Sequence, residues 1–272
     1  TGVSVLTAEA LGGAAPAAAE EAPAEEAAPA VMTFAEYDAA ELDSPVCVEA
    51  YVQAHQSWWD NKITVYGQDE DGAYFFYDMA CSEEDAEKLV PGTKILVNGF
   101  KSEWAGEVEI IDATFEIVED DSFVAEAEDV TDLLGTDELI ENQNEFVSFK
   151  GLTIEAYDDT GAAFAYKNEV DKTDDLYFKV SKDGEVFDFC VEYYLCGDDT
   201  EVYNAIEDLS VGDVVDLEGF LYWYNGANPH ITSCVVVEEA AEAAEEEAVE
   251  ETASEPYHFE MLVKSFQSSY WQ

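Results

Sequence analysis

Trp58 and Trp59 stand between Gln56-Ser57 and Asp60-Asn61, and Tyr222-Trp223-Tyr224 runs into Asn225-Gly226. Trp104 precedes a glycine, Gly106, in the place matching that second group. Rings beside amides and carboxylates can stack on the apolar face of a sugar while the polar neighbours meet its hydroxyl rim. The same rings can instead plug barrel ends or pack between two domains, the role aromatic side chains more often have, and the residues leave both roles open. No nucleophile comes with a base. His55, His230 and His258 lie far apart, and no Ser-His-Asp or Cys-His set has a recognisable spacing. The five cysteines (Cys47, Cys81, Cys190, Cys196, Cys234) form no C-x-x-C, and their odd number implies no complete disulfide framework. Cys190 and Cys196 either bridge or serve as small apolar residues on neighbouring strand positions. Among 64 Asp and Glu residues, carboxylate pairs arise by chance, so none marks a glycosidase or protease centre. Asp69-Glu70-Asp71-Gly72 has only part of a calcium loop's oxygen spacing. A phosphate-binding loop and a dinucleotide fingerprint are both missing. The expectation is a non-enzymatic binding protein with no cofactor and no metal.

The charge balance narrows the partners expected. Against those 64 acids stand 10 Lys and Arg, a net charge of −54 over 272 residues. Affinity for nucleic acid comes largely from basic side chains that neutralise phosphates, so the composition argues against nucleic acid and against anionic lipid. The acidity reads as a solubility device. No run is long enough for a transmembrane helix.

The elements that must position these residues follow from an internal repeat. Leu89-Val90-Pro91-Gly92 through Gly99-Phe100 matches Leu209-Ser210-Val211-Gly212 through Gly219-Phe220, and the offset of 120 carries on to Gly106 with Gly226 and Ile111 with Ile231. Glycines recur where the backbone must bend, and apolar residues recur with the period of two that marks a strand. In the first copy Thr33-Phe34-Ala35-Glu36 is a capping box. Strands are predicted at Val46–Ala54, Lys62–Gly67 and Ala73–Met79, with a hairpin turn at Asp71-Gly72. A helix capped by Ser82 follows, then strands at Lys94–Lys101 and Glu107–Val118. The second copy predicts a helical stretch near 131–140, strands at 146–156, 214–224 and 230–237, a helix at 200–209, and extra residues around 167–175 that enlarge its middle.

Three strands, a helix and two strands is the order of the OB fold, whose ligands sit on strands two and three and in the loops after strands one and four. The pattern from Val211-Gly212 to Gly219-Phe220 resembles the fourth strand of bacterial extracytoplasmic OB-type domains. The fold expected is mainly β: two tandem five-stranded barrels with short helices, at 32–122 and 123–237, with a β-sandwich as the rival. Trp58, Trp59, Trp104, Tyr222, Trp223 and Tyr224 are then the loop candidates for ligand contact.

The flanking segments carry two more resemblances. Residues 1–31 are mostly Ala, Pro and Glu, as are 238–256, and both read as solvated acidic linkers. Leu6-Thr7-Ala8 resembles the end of a bacterial lipoprotein signal, with Glu9 where the lipidated cysteine would stand. Residues 257–272, from Tyr257 to Gln272, resemble the start of a type 1 periplasmic sugar-binding protein, or else form a strand capping the second barrel. That resemblance implies Tyr270 and Trp271 as sugar-stacking rings, and a chain that continues into a solute-binding domain of a transporter. The function expected is an extracytoplasmic binding protein for carbohydrate, alternatively a structural or protein-interaction module of the cell surface.

Overall fold

The computed structural model describes residues 30–119 and 121–240. Both flanking linkers, apart from their edges at Ala30–Val31 and Glu238–Ala240, and the whole segment 257–272 lie outside the described residues.

The first half opens with α1 (Phe34–Asp38), whose capping box closes as expected: the Thr33 side chain accepts from Glu36 N, and Glu36 reaches back to Thr33 N at 2.9 Å. Then come β1 (Pro45–His55), β2 (Lys62–Gln68), β3 (Ala73–Ala80), α2 (Glu83–Ala86), β4 (Lys94–Trp104) and β5 (Glu107–Ile117). The strands close in the order β1-β2-β3-β5-β4, with β4 returning to β1 and β3 running parallel to β5. Alternate residues of β1 (Val46, Val48, Ala50, Val52) point inward and meet Val65, Phe76, Ile95 and Val97 in one core. Ser82 caps α2 by accepting from Asp85 N. This helix covers one end of the barrel through Ala86, with Leu89 just beyond it.

The second half contains β6 (Glu128–Asp129), β7 (Phe146–Glu155), β8 (Phe164–Tyr166), β9 (Leu176–Lys182), β10 (Glu185–Val191), α3 (Glu201–Glu207), β11 (Val214–Phe220) and β12 (His230–Glu238). Strands β7, β11, β12, β10 and β9 pair in that order, and β9 pairs back to β7. This is the same five-stranded closure, with β10 parallel to β12 as β3 is to β5. The short strands β6 and β8 are additions on the outside of β7 and β9. Val202, Tyr203 and Ile206 of α3 pack into the second core with Phe149, Phe178 and Phe189. The chain therefore holds two closed barrels of OB topology.

Two glycine pairs show why the repeat survives in sequence. Gly92 and Gly212 sit at φ +89° and +98°, where a side chain would strain the backbone. Gly99 and Gly219 lie at bulges, where the register with the following strand skips a residue. A Cβ on Gly99 would come within 2.8 Å of Ile111 O, and one on Gly219 would collide with His230 O.

The structure departs from expectation in two places. The stretch near 131–140 is two 3₁₀ turns, Thr131–Leu133 and Asp137–Asn142, rather than a helix. Leu134 turns to ψ 122° and Gly135 to φ +87°, which breaks the i to i+4 ladder. The strand expected through Tyr224 stops at Phe220; Leu221 stays in the second core, and residues 222–225 reach across to the first barrel.

Candidate functional site

The two barrels meet along a seam built by strand alternation. On β3, Tyr74 and Phe76 turn into the first core while Phe75 and Tyr77 face outward. Phe75 joins Tyr66 of β2 and Phe220 of β11 in a buried cluster of its own, flanked by Phe146, Leu195 and Tyr222. Tyr66 stacks on Phe220 at 4.5 Å between centroids. Such an aromatic pair is worth about 0.5–1.5 kcal/mol beyond the burial of its two rings. At its edge the Tyr66 hydroxyl lies 2.6 Å from His230 Nδ1. Burial pushes the His230 imidazole down to about 3, so the ring is neutral. Burial holds Tyr66 well above the usual phenol range, so both partners are neutral and a single proton joins the hydroxyl to Nδ1.

The rest of the seam is polar. Ser57 N donates to Tyr194 O at 2.7 Å, Phe146 N to Gln68 Oε1 at 2.9 Å, and Asn225 N to Ala105 O at 2.7 Å. Glu107, fully buried at the start of β5, accepts from Trp223 N at 2.9 Å and from Gln143 Nε2 at 3.4 Å. Its other oxygen, Oε1, has no partner, nor has Oδ1 of the nearby Asn144. Burial pushes the Glu107 carboxyl up to about 8, partly offset by the Trp223 N–H and the neighbouring Asn144 side chain. A neutral carboxyl has an O–H to donate, which suits a site with an orphaned acceptor.

Beside this contact a cleft of about 560 Å³ opens between the barrels. Phe75, Tyr77 and Trp104 line it from the first barrel; Tyr157, Tyr177, Tyr222 and Tyr224 line it from the second. Tyr222 lies flat on His230, with centroids 4.2 Å apart, and Trp104 leans on Tyr224 at 5.2 Å. The polar wall is Lys167, Asp175, Asp188 and Glu192. Lys167 is paired with Asp175 at 2.8 Å. Burial, with Asp175 beside it, pushes the Glu192 carboxyl up to about 7. Cys190 is on the wall too, but burial holds its thiol well above the usual range, which leaves no thiolate to attack a substrate. A second hollow of about 420 Å³ continues from the first, sharing Gln56 and Tyr77 and adding Trp59, Lys62, Asp78 and Tyr194.

The six loop aromatics fall into two groups. Trp59, Trp104, Tyr222 and Tyr224 line the two hollows. Trp58 and Trp223 pack instead: Trp58 lies against the first core and donates its indole N–H to Cys81 O at 2.9 Å. The Trp223 ring covers Gly106, where a Cβ would sit 2.8 Å from the indole. The rings of Tyr270 and Trp271 lie outside the described residues. Sequence reasoning missed Tyr66, Phe75, Tyr77 and Glu107, since outward-facing strand aromatics and one acid among 64 look ordinary until a second barrel covers them. All five cysteines are unpaired, four of them buried, so Cys190 and Cys196 do not bridge. No cluster of metal-ligating side chains occurs among the described residues.

No family model and no curated protein sequence matches the chain. Solved structures do. The Ifi202 HINa domain in complex with 20-bp dsDNA is 13% identical, covering 74% of this chain and 98% of that one at a TM-score of 0.32. A murine DNA-binding protein bound to dsDNA is 10% identical, covering 73% and 98% at 0.33. A replication protein A heterotrimer bound to ssDNA is 14% identical, covering 72% and 52% at 0.27. Two expectations are corrected here. These structures hold DNA, whereas composition argues against nucleic acid as a partner, and that exclusion does not stand. None of the three is a sugar receptor, and the reading as a carbohydrate-binding part of a transporter is withdrawn with it. The physical reason is that net charge sums over all 272 residues, whereas a ligand meets the field of one face.

Proposed function

We propose that the two barrels act as one rigid, non-enzymatic protein-interaction module, and that the aromatic seam receives an extended segment of a partner protein. A contrast along a single seam carries this reading. Tyr66, Phe75 and Phe220 are buried and fix the barrels together, while Trp59, Tyr77, Trp104, Tyr194 and Tyr224 stay 46–77% exposed. Tyr and Trp are the side chains that most often anchor protein interfaces, because they bring large contact area at little entropic cost. The two connected hollows make a path rather than a closed chamber, a shape that suits a chain lying along it. Trp59, Trp104 and Tyr224 are the anchors proposed.

Fluorescence anisotropy with labelled peptides of about ten residues, in basic, neutral and acidic sets, tests this. Binding of at least one set, lost in the Trp104→Ala/Tyr224→Ala double variant with unchanged circular dichroism, is the expected result. If no set binds the full chain, or binding ignores both rings, the module reading is wrong.

A further inference from the structure

Resting on the module reading, we propose that the groove along the seam selects basic segments, seating Lys or Arg side chains against Trp104 and Tyr224. The charges in the groove are unbalanced. Its only cationic linings among the described residues are Lys62 and Lys167, and each is already held by a carboxylate, Asp78 at 3.0 Å and Asp175 at 2.8 Å. Asp188 and Glu192 share the wall and have no ion-pair partner among the described residues. A neutral segment would leave Asp188, exposed on that wall, uncompensated, and an acidic one would be repelled.

The rings supply the second half of the match. An aromatic face is the negative end of the ring quadrupole and attracts an ammonium or guanidinium placed over it. Trp104 and Tyr224 are tilted 36° to each other at 5.2 Å and both are more than half exposed, so outer ring surface stays open to a ligand. The chain makes this kind of contact itself just outside the groove, where Lys179 Nζ lies 5.1 Å from the centre of the Tyr157 ring. Arginine adds a planar fork that can stack on a ring and bind a carboxylate at once.

The test uses the full chain and three labelled peptides of about ten residues, alternating glycine with Arg, Ser or Glu, plus a short dsDNA duplex of equal label. The Arg peptide should bind best and weaken as salt is raised. Loss of either exposed ring should weaken it about two- to fivefold. Asp188→Asn should weaken it more than Glu83→Gln, which removes the same charge from the remote surface of α2. Equal effects of the two charge changes would mean diffuse attraction to an acidic chain and would overturn the proposal. Tighter binding of the Ser or Glu peptide through the same rings would overturn it while leaving the module reading intact. Tighter binding of the duplex would overturn both, and so would the absence of any peptide binding.

Discussion

Replacing Glu107 by Gln should stabilise the protein, and by an amount that grows with pH. The carboxyl has an ordinary value of 4.5 and is pushed up to about 8 when folded, chiefly by burial. The folded state therefore holds its proton over a range where the unfolded chain has released it. For an acid raised in this way, stability is greatest below the unfolded value and falls as pH rises toward the folded one. Worked from those two values, the penalty is about 1 kcal/mol at pH 5, about 3 at pH 7, and levels off at about 5 once the folded group ionises. Glutamine has the same shape and no proton to lose. Its carbonyl can accept from Trp223 N, as Glu107 does at 2.9 Å, and its amide can donate to Asn144 Oδ1, which has no partner. Urea denaturation of both proteins at several pH values gives the difference directly. Taking the difference also cancels the titration of the many surface carboxylates common to both. The expected outcome is near-equal stability at pH 4 and a gap widening to about 3 kcal/mol at pH 7. A gap that stays constant with pH, or a variant less stable throughout, would refute the claim that this carboxyl is buried neutral between the barrels.

Three further outcomes follow from the contacts already described. Tyr66→Phe keeps the ring stacked on Phe220 but leaves His230 Nδ1 without its hydrogen-bond partner, so unfolding should become easier by about 1–3 kcal/mol in urea titration. Gly219→Ala drives a Cβ into the His230 carbonyl and should destabilise the protein by at least about 1–3 kcal/mol, whereas Gly151→Ala, with open space but φ +64°, should cost only about 1–2. Thermal denaturation of the two variants side by side checks the order. Four of the five thiols are buried and Cys234, half-buried, has its thiol pushed up to about 12, so a thiol-reactive dye should label the native protein slowly and reach five groups only in denaturant.

The architecture was legible where chemistry is local. The repeat showed itself through glycines that have no substitute: Gly92 and Gly212 need a left-handed backbone, while Gly99 and Gly219 have a neighbouring strand pressed against them. Thr33 and Ser82 announced their helices because capping depends on residues three positions apart. What depended on the second barrel was hidden. The alternation of β11 runs on through Leu221 and Tyr222, and only Glu107 and Ala105, more than 100 positions away, draw that segment across. The loop aromatics were found as a group, but their division into packed rings, Trp58 and Trp223, and lining rings, Trp59, Trp104, Tyr222 and Tyr224, is decided by which backbone each one meets. Net charge was a poor guide for a different reason, since a total over the chain carries no direction.

The clasp of residues 222–225 over the Gly106–Glu107 corner has a consequence for how this duplicated chain can change over generations. Once one half supplies the lid for the other half's buried acid, neither half is free to drift alone. A cut between them would bare Tyr66 and Phe75 on one piece and Phe220 on the other, and both fragments should cling to themselves or to each other. Position 66 and position 230 are similarly bound to vary together, because either partner alone strands a polar atom in a dry contact. The duplication has become a single heritable unit.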